Sequence, residues 1–219
     1  MNDVIEQISK RSREEILKRV SKGYKKPDFC RVETQDPVVH IKMQEDLIEN
    51  MKTNMTNNKF VVHDIKESEL YDTINAITKE IDAKTLVYPK DLGLDLNKIN
   101  KTSALCFDTD INDIRDQLFN TDLSIINAFA GVASHGVACV VSTQNQPRTL
   151  SLVPPNCIIL LKKERVVKSF IDALHKVKSE YERLPTNILF IAGPSRTSDV
   201  ELVTVFGVHG STRVHLVLY

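Results

Sequence analysis

The sequence is short of glycine, of closely spaced cysteine, of net charge and of long apolar runs, and each shortage excludes something. Only 7 of 219 residues are glycine, where an average usage of roughly 7% gives about twice that, so each glycine invites a local reason. Of the four cysteines, Cys106, Cys139 and Cys157 lie inside apolar, strand-like runs and Cys30 in a polar linker, with no C-x-x-C. An iron–sulfur cluster or a structural zinc needs closely spaced thiolates, so no metal and no cofactor is expected in this chain. Lys+Arg and Asp+Glu are equal at 29 each, without a basic block, which removes the electrostatic case for nucleic acid or an anionic membrane. No apolar run approaches the ~20 residues that span a bilayer, and the charged N-terminal segment lacks a signal-peptide core. The default expectation is the cytoplasm. There is no P-loop, dinucleotide fingerprint or Ser-His-Asp pattern.

What is present is 42% hydrophobic residues, enough for a sizeable core in one domain with an appendage. Residues 1–58 read as an N-terminal helical arm and linker. Its first part, from about Asp3 to Ser21, is dense in Lys, Arg and Glu and predicts a solvated helix, broken from Gly23 to Pro37. From Val38 to Met55 the positions Met43, Leu47, Met51 and Met55 fall at i, i+4 spacing and predict a helix with one narrow stripe. Such methionines fill core gaps or, as a soft stripe, dock a partner.

Residues 59–219 read as an α/β domain in which strands alternate with helices. Strands are expected at 59–63, 85–88, 104–107, 123–128, 137–141, 157–161, 187–192 and 213–218. Helices are striped by Leu70, Ile74, Ile77 and Ile81, by Ile111, Ile114 and Leu118, and by Val167, Phe170, Leu174, Val177 and Tyr181. The alternation predicts a three-layer, Rossmann-like domain with a mainly parallel sheet, whose ligands sit at the carboxyl ends of strands. Asp108, Asp110 and Asp113 resemble the opening of a calcium loop, but the sixth position is Asp113 rather than glycine, so they read as a cap and helix start.

The most distinctive stretch is Ile188 to Gly210, ILFIAGPSRTSDVELVTVFGVHG. Its apolar opening predicts a strand buried on both faces, the pattern of a parallel sheet. Ser198 and Glu201 have the spacing of a capping box, predicting a short helix from about Asp199 to Val205 with Gly207 as its stop. Ser195, Arg196, Thr197, Ser198 and Asp199 then surround a helix N-terminus at a strand's carboxyl end, where an anionic ligand binds. The competing interpretation is ordinary caps and an Arg paired with a nearby acid. His209, between Gly207 and Gly210, is an acid–base or anion contact, or else orients the turn. His209, His215 and Asp199 lack a familiar metal-ligand spacing. Gly131 and Gly136 bracket a second turn that holds Ser134 and His135, and Gly193 begins the loop after the 187–192 strand.

These segments carry a resemblance. GPSRTSDVE at Gly193 to Glu201, followed by GVHG at Gly207 to Gly210, resembles the C-terminal signature of the lactate-utilisation protein C family, the stand-alone form of the LUD domain. TDLSIINAFAGVASHG and RTLSLVPPNCIIL are similar to that family's middle segments in order and spacing, so the resemblance covers roughly Lys59 to Tyr219. It departs at Ser134 and His135, where the family pattern has Glu and then Thr, so any role attached to that Glu does not transfer. Either the imidazole replaces it as a polar contact or the turn needs only its glycines.

The resemblance implies the architecture of sugar-phosphate isomerases and CoA transferases. It also implies a subunit or accessory protein of a system oxidising L-lactate to pyruvate, beside partners of which at least one carries iron–sulfur clusters. A chain with no redox group of its own fits assembly or ligand positioning better than the oxidation itself. The other class consistent with the residues is a stand-alone enzyme or binding protein on the same scaffold, taking a carboxylate, acyl-CoA or sugar phosphate.

Overall fold

The computed structural model describes residues 2–24, 45–101, 103–198 and 204–219, in two compact units, Met1–Val38 and Val39–Tyr219. In the first, α1 (Asn2–Tyr24) has the solvated character that its charge density predicts, and its described side chains are exposed. Cys30 and Met43 lie outside the described residues.

The second unit opens with α2 (Leu47–Asn57), capped by Asp46, whose carboxylate accepts the N–H groups of Ile48 and Glu49. The sequence assigns this helix to the arm. In the structure it belongs to the core of the unit that begins at Val39, with Met51 and Met55 fully buried. There follow β1 (Val61–Asp64), α3 (Leu70–Glu80), β2 (Thr85–Pro89), β3 (Ser103–Phe107), α4 (Ile111–Phe119), β4 (Leu123–Asn127), β5 (Ala130–Val132) and β6 (Val137–Val141). The chain continues through α5 (Thr149–Leu152), β7 (Asn156–Leu161), β8 (Val166–Val167), α6 (Phe170–Glu180), β9 (Ile188–Ile191), β10 (Arg196–Ser198), β11 (Thr204–Phe206) and β12 (Arg213–Leu218). Asp110 caps α4 through Asn112 N–H, as its position ahead of the apolar stripe predicts. Ser169 and Asp172 cap α6 reciprocally.

Six strands form a wholly parallel sheet in the order β1-β12-β7-β4-β2-β3. Its central strands are apolar on both faces, as a sheet covered on both sides requires. Alternation divides β7 cleanly: Ile158 and Leu160 face α3 with Leu70, Ile74 and Ile77, while Ile159 and Leu161 face α2 and α4 with Met51, Met55, Ile114 and Leu118. Each such side chain, fully buried, contributes about 1.5–3 kcal/mol. A second sheet, β8-β5-β6-β9, lies on the α2 side. Its far face is closed by α6 through Ala173 and Val177 against Val132, Val137, Cys139 and Val141. The layers expected from the alternation are present, with the small sheet as an addition.

Two expectations for the stretch after Asn187 are corrected. β9 is not part of the parallel sheet: it pairs antiparallel with β6 and is half-buried along its length. A short apolar run fits an edge strand packed on both faces, with Leu189 and Ile191 on one side and Ile188 and Phe190 on the other, as well as a central one, and periodicity cannot separate them. Thr204 and Val205, expected to end a helix from about Asp199, lie instead in a strand, where Phe206, Val205 and Thr204 pair antiparallel with Arg196, Thr197 and Ser198. Thr, Val and Phe favour a pleated strand, and cross-strand pairing wins over a cap spacing that is only four residues long. Asp199 and Glu201 lie outside the described residues.

Candidate functional site

The direction of the chain through the parallel sheet fixes where a crevice can open. From β2 the next connection runs outward to β3, whereas from β4 it runs the other way to β7, so winding reverses between the neighbours β2 and β4. Connections that leave in opposite directions part at the carboxyl ends and leave a gap there. Two cavities occupy that gap, of about 200 Å³ and about 460 Å³, and both are lined by Asn127, Ala128 and Arg165. The smaller continues to Asp91, Thr143, Gln146 and Tyr181. The larger continues to Glu67, Leu70, Leu92, Leu160 and Lys162.

The walls are fixed by hydrogen bonds that the sequence does not advertise. Asn127 at the end of β4 donates its backbone N–H to Gln146 Oε1 at 2.8 Å, and Gln146 Nε2 returns a bond to Asn127 O at 2.9 Å. A side-chain amide thus satisfies a strand end that has no further ladder partner. Asn127 Nδ2 reaches Leu92 O at 3.3 Å, tying the loop after β2 to β4 across the gap. Arg165 is held by Glu180 through two bonds of 2.6 and 2.9 Å and lies over the Phe129 ring at 4.7 Å. That bidentate pair holds the Glu180 carboxyl below its usual range and the guanidinium above its own. Burial, and then the Glu180 charge, pushes the Tyr181 hydroxyl up, so it stays a neutral donor. Fixed donors, two cations and two exposed carboxylates make this a place to bind a polar small molecule.

The expected anion site lies at the other end of the sheet. Ser195 N–H donates to Ser211 O at 2.8 Å. Ser211 Oγ donates to Pro154 O, and Thr212 N–H to Pro155 O, both at 2.8 Å. These residues immediately precede β12 and β7, so the loop is fastened to the amino ends of those strands. Gly207 N–H donates to Ser195 O at 2.9 Å, and His209 N–H to Ser195 Oγ at 3.3 Å, which brings Ser195 and His209 together through the backbone of the turn. Arg196 is exposed and donates to Ala192 O at 3.2 Å. Thr197 is half-buried, and Ser198 takes part through its strand backbone.

Ser134 and His135 belong to a third construction, missed in the sequence. Asn50, Asn54 and Asn58, one per turn of the same helix face, donate their amides to the carbonyls of the 133–136 turn. Asn50 and Asn54 reach Ala133 O at 3.0 and 2.8 Å, and Asn58 reaches His135 O and Gly136 O at 2.7 and 2.9 Å. The i, i+4 asparagines were the available signal. Gly136, at φ +60°, packs so closely under α2 that a Cβ there would stand 2.3 Å from the backbone carbon of Asn54. Gly193 packs against the same helix, its missing Cβ only 2.0 Å from Asn58 O. Gly131 lies in β5 rather than a turn, beneath Met51 and Leu161, and Gly210 lies against Ser195. Ser134 is buried with its Oγ 2.7 Å from His135 Nδ1, and the exposed His135 ring packs at a tilt of 55° against Phe170.

His215, wholly buried in β12, accepts or donates through Nδ1 to His63 Nε2 at 3.1 Å, and its Nε2 has no hydrogen-bond partner among the described residues. Burial, followed by the neighbouring His63 and Arg213, pushes its pKa down to about 4. His209 is exposed on the preceding turn, away from that buried position. Among the described residues no group of three or more His, Cys, Asp or Glu is placed to hold a metal.

Residues 48–219 match the LUD domain family. An uncharacterised protein of Neisseria meningitidis is 34% identical over 107 residues, 48% of this chain and 46% of its own length, so that match spans about half of either protein. Lactate utilization protein C of Halalkalibacterium halodurans is 25% identical over 221 residues, covering 97% of this chain and 93% of its own. The crystal structure of a DUF162 family protein from Deinococcus radiodurans superposes with a TM-score of 0.58 at 14% identity, covering 78% of this chain and 95% of that one. At that identity the likeness speaks for the fold.

Proposed function

The chain belongs to the LUD domain family, and from that premise we propose that it is a component of an L-lactate utilisation system, acting with iron–sulfur partner proteins. Its own contribution is to bind a small organic ligand in the carboxyl-end crevice, while the partners accept the electrons released as lactate becomes pyruvate. The near end-to-end similarity to a lactate utilization protein C supports the process. The crevice at the reversal of winding supports the binding role, and it is the observation on which the proposal rests. The thiols agree with it: Cys139 and Cys157 are buried, their pKa values pushed up by burial to about 11 and about 12, so neither is a ready thiolate ligand.

Deletion of the gene in its native cells is expected to abolish growth on L-lactate, with growth restored by the wild-type copy. A tagged copy is expected to co-purify iron–sulfur proteins. A deletion strain that grows normally on lactate sinks the proposal. The stand-alone alternative, a carboxylate, acyl-CoA or sugar-phosphate enzyme, predicts turnover by the purified chain alone, and the size of the larger cavity, about 460 Å³, suits such ligands.

A further inference from the structure

We propose that the larger lobe of the crevice binds an amphipathic 2-hydroxy or related organic acid. Its carboxylate lies at Lys162, and its aliphatic body, longer than the methyl of lactate, lies against Leu70, Leu92, Leu94 and Leu160. The inference rests on the crevice being the working site, and it adds the ligand class.

The lining of the lobe carries it. The floor is aliphatic and deep: Leu70, Leu92 and Leu160 are 4%, 6% and 2% exposed, and Leu94 stands half-exposed beside them. Leu160 and Lys162 are two residues apart at the end of β7, so the strand's period of two carries one side of the chain from the floor to an exposed ammonium. The second cation, Arg165, is already occupied by Glu180, which leaves Lys162 as the lobe's available positive charge. Glu67, the acidic side chain on the same rim, accepts a hydroxyl proton and favours a 2-hydroxy acid over a simple one.

A lobe of about 460 Å³ has room for a ligand longer than a three-carbon acid, and added methylenes lie over the exposed part of Leu94. Each further methylene that displaces water there improves binding, by about threefold to fourfold when fully buried.

Calorimetric titration of the purified full chain with L-2-hydroxy acids of increasing length, and with their amides, tests this. The dissociation constant is expected to fall by about threefold per added methylene from the three-carbon to the six-carbon acid. The amides are expected to bind about tenfold more weakly. Lys162→Ala, exposed and without a packing role, is expected to remove the difference between acid and amide, and Leu94→Asp to remove the dependence on length. Dissociation constants that do not change with length, equal binding of acid and amide, or no binding up to about 10 mM each overturn the proposal. Flat titrations alongside a lactate-growth defect in Lys162→Ala would sink the ligand class and leave the lactate role standing. A deletion strain that grows on lactate sinks that role whatever the titrations give.

Discussion

The two ends of the parallel sheet divide the work differently. At the amino ends of β7 and β12 lies the glycine-marked motif from Gly193 to Gly210, the most conspicuous stretch of the chain, and there Ser195, Gly207 and His209 bond to one another and Ser195 to Ser211. At the carboxyl ends lies a crevice drawn from seven separated segments, none conspicuous, in which Asn127, Gln146 and Arg165 are held by bonds to the walls while Lys162, Glu67 and Asp91 are exposed. A motif marks where the backbone has little freedom, and the reason for that constraint can be packing. The topology of the sheet marks where a ligand has room.

The first way to break this contrast is to load the constrained turns. Gly136→Ala forces a Cβ to within 2.3 Å of the Asn54 backbone at a positive φ, and neither side can yield without moving α2. A loss of about 3 kcal/mol in urea denaturation is expected. A near-neutral result means that the glycine is held for something other than packing.

The second is acid. His215 is neutral in the fold with a pKa of about 4, against about 6.5 in the unfolded chain. Between those values the unfolded state takes up the proton first, so stability falls as pH drops below about 6.5, and the loss levels off below about 4, at a total of about 3 kcal/mol. His63, also shifted down by burial, acts in the same direction. The depressed carboxyls of Asp64 and Glu180 act at lower pH, below the ordinary carboxylate range, where their protonation removes stability. Denaturation midpoints at pH 7 and pH 5 should therefore differ for the wild type and much less for His215→Leu; equal pH slopes in the two proteins rule this out.

A smaller effect sharpens the role of α2. Asn54→Ala removes the amide that serves Ala133 O and Ser134 O, although Asn50 still reaches the first of these. About 1.5 kcal/mol is expected, read as a lower melting temperature. An unchanged melting temperature would make the ladder of asparagines incidental.

Much of the architecture is legible in the residues themselves. Ile74 and Ile77 stripe α3, Ile114 and Leu118 stripe α4, and the runs CIILL and VHLVL declare strands covered on both faces, because local periodicity and burial agree there. The pairing of 196–198 with 204–206 was not legible, since Ser198 and Glu201 satisfy a cap spacing while Ser198 is constrained by its cross-strand partner Thr204. The crevice was less legible still. Asp91, Asn127, Gln146, Lys162 and Arg165 are ordinary loop residues one at a time, and only the reversal of winding between β2 and β4 brings them together. The asparagines of α2 were in plain view at i, i+4 spacing, but a polar stripe on a helix ordinarily faces solvent.

The most direct test sets the two ends against each other in cells that depend on L-lactate. Lys162→Glu reverses the charge at the carboxyl-end crevice, and Arg196→Ala removes the guanidinium from the amino-end loop. Both side chains are exposed, so both proteins are expected to melt like the wild type. Loss of growth on lactate with Lys162→Glu, and normal growth with Arg196→Ala, is the predicted result. Normal growth with Lys162→Glu and loss with Arg196→Ala, each protein melting normally, would contradict the account and move the working site to the motif loop.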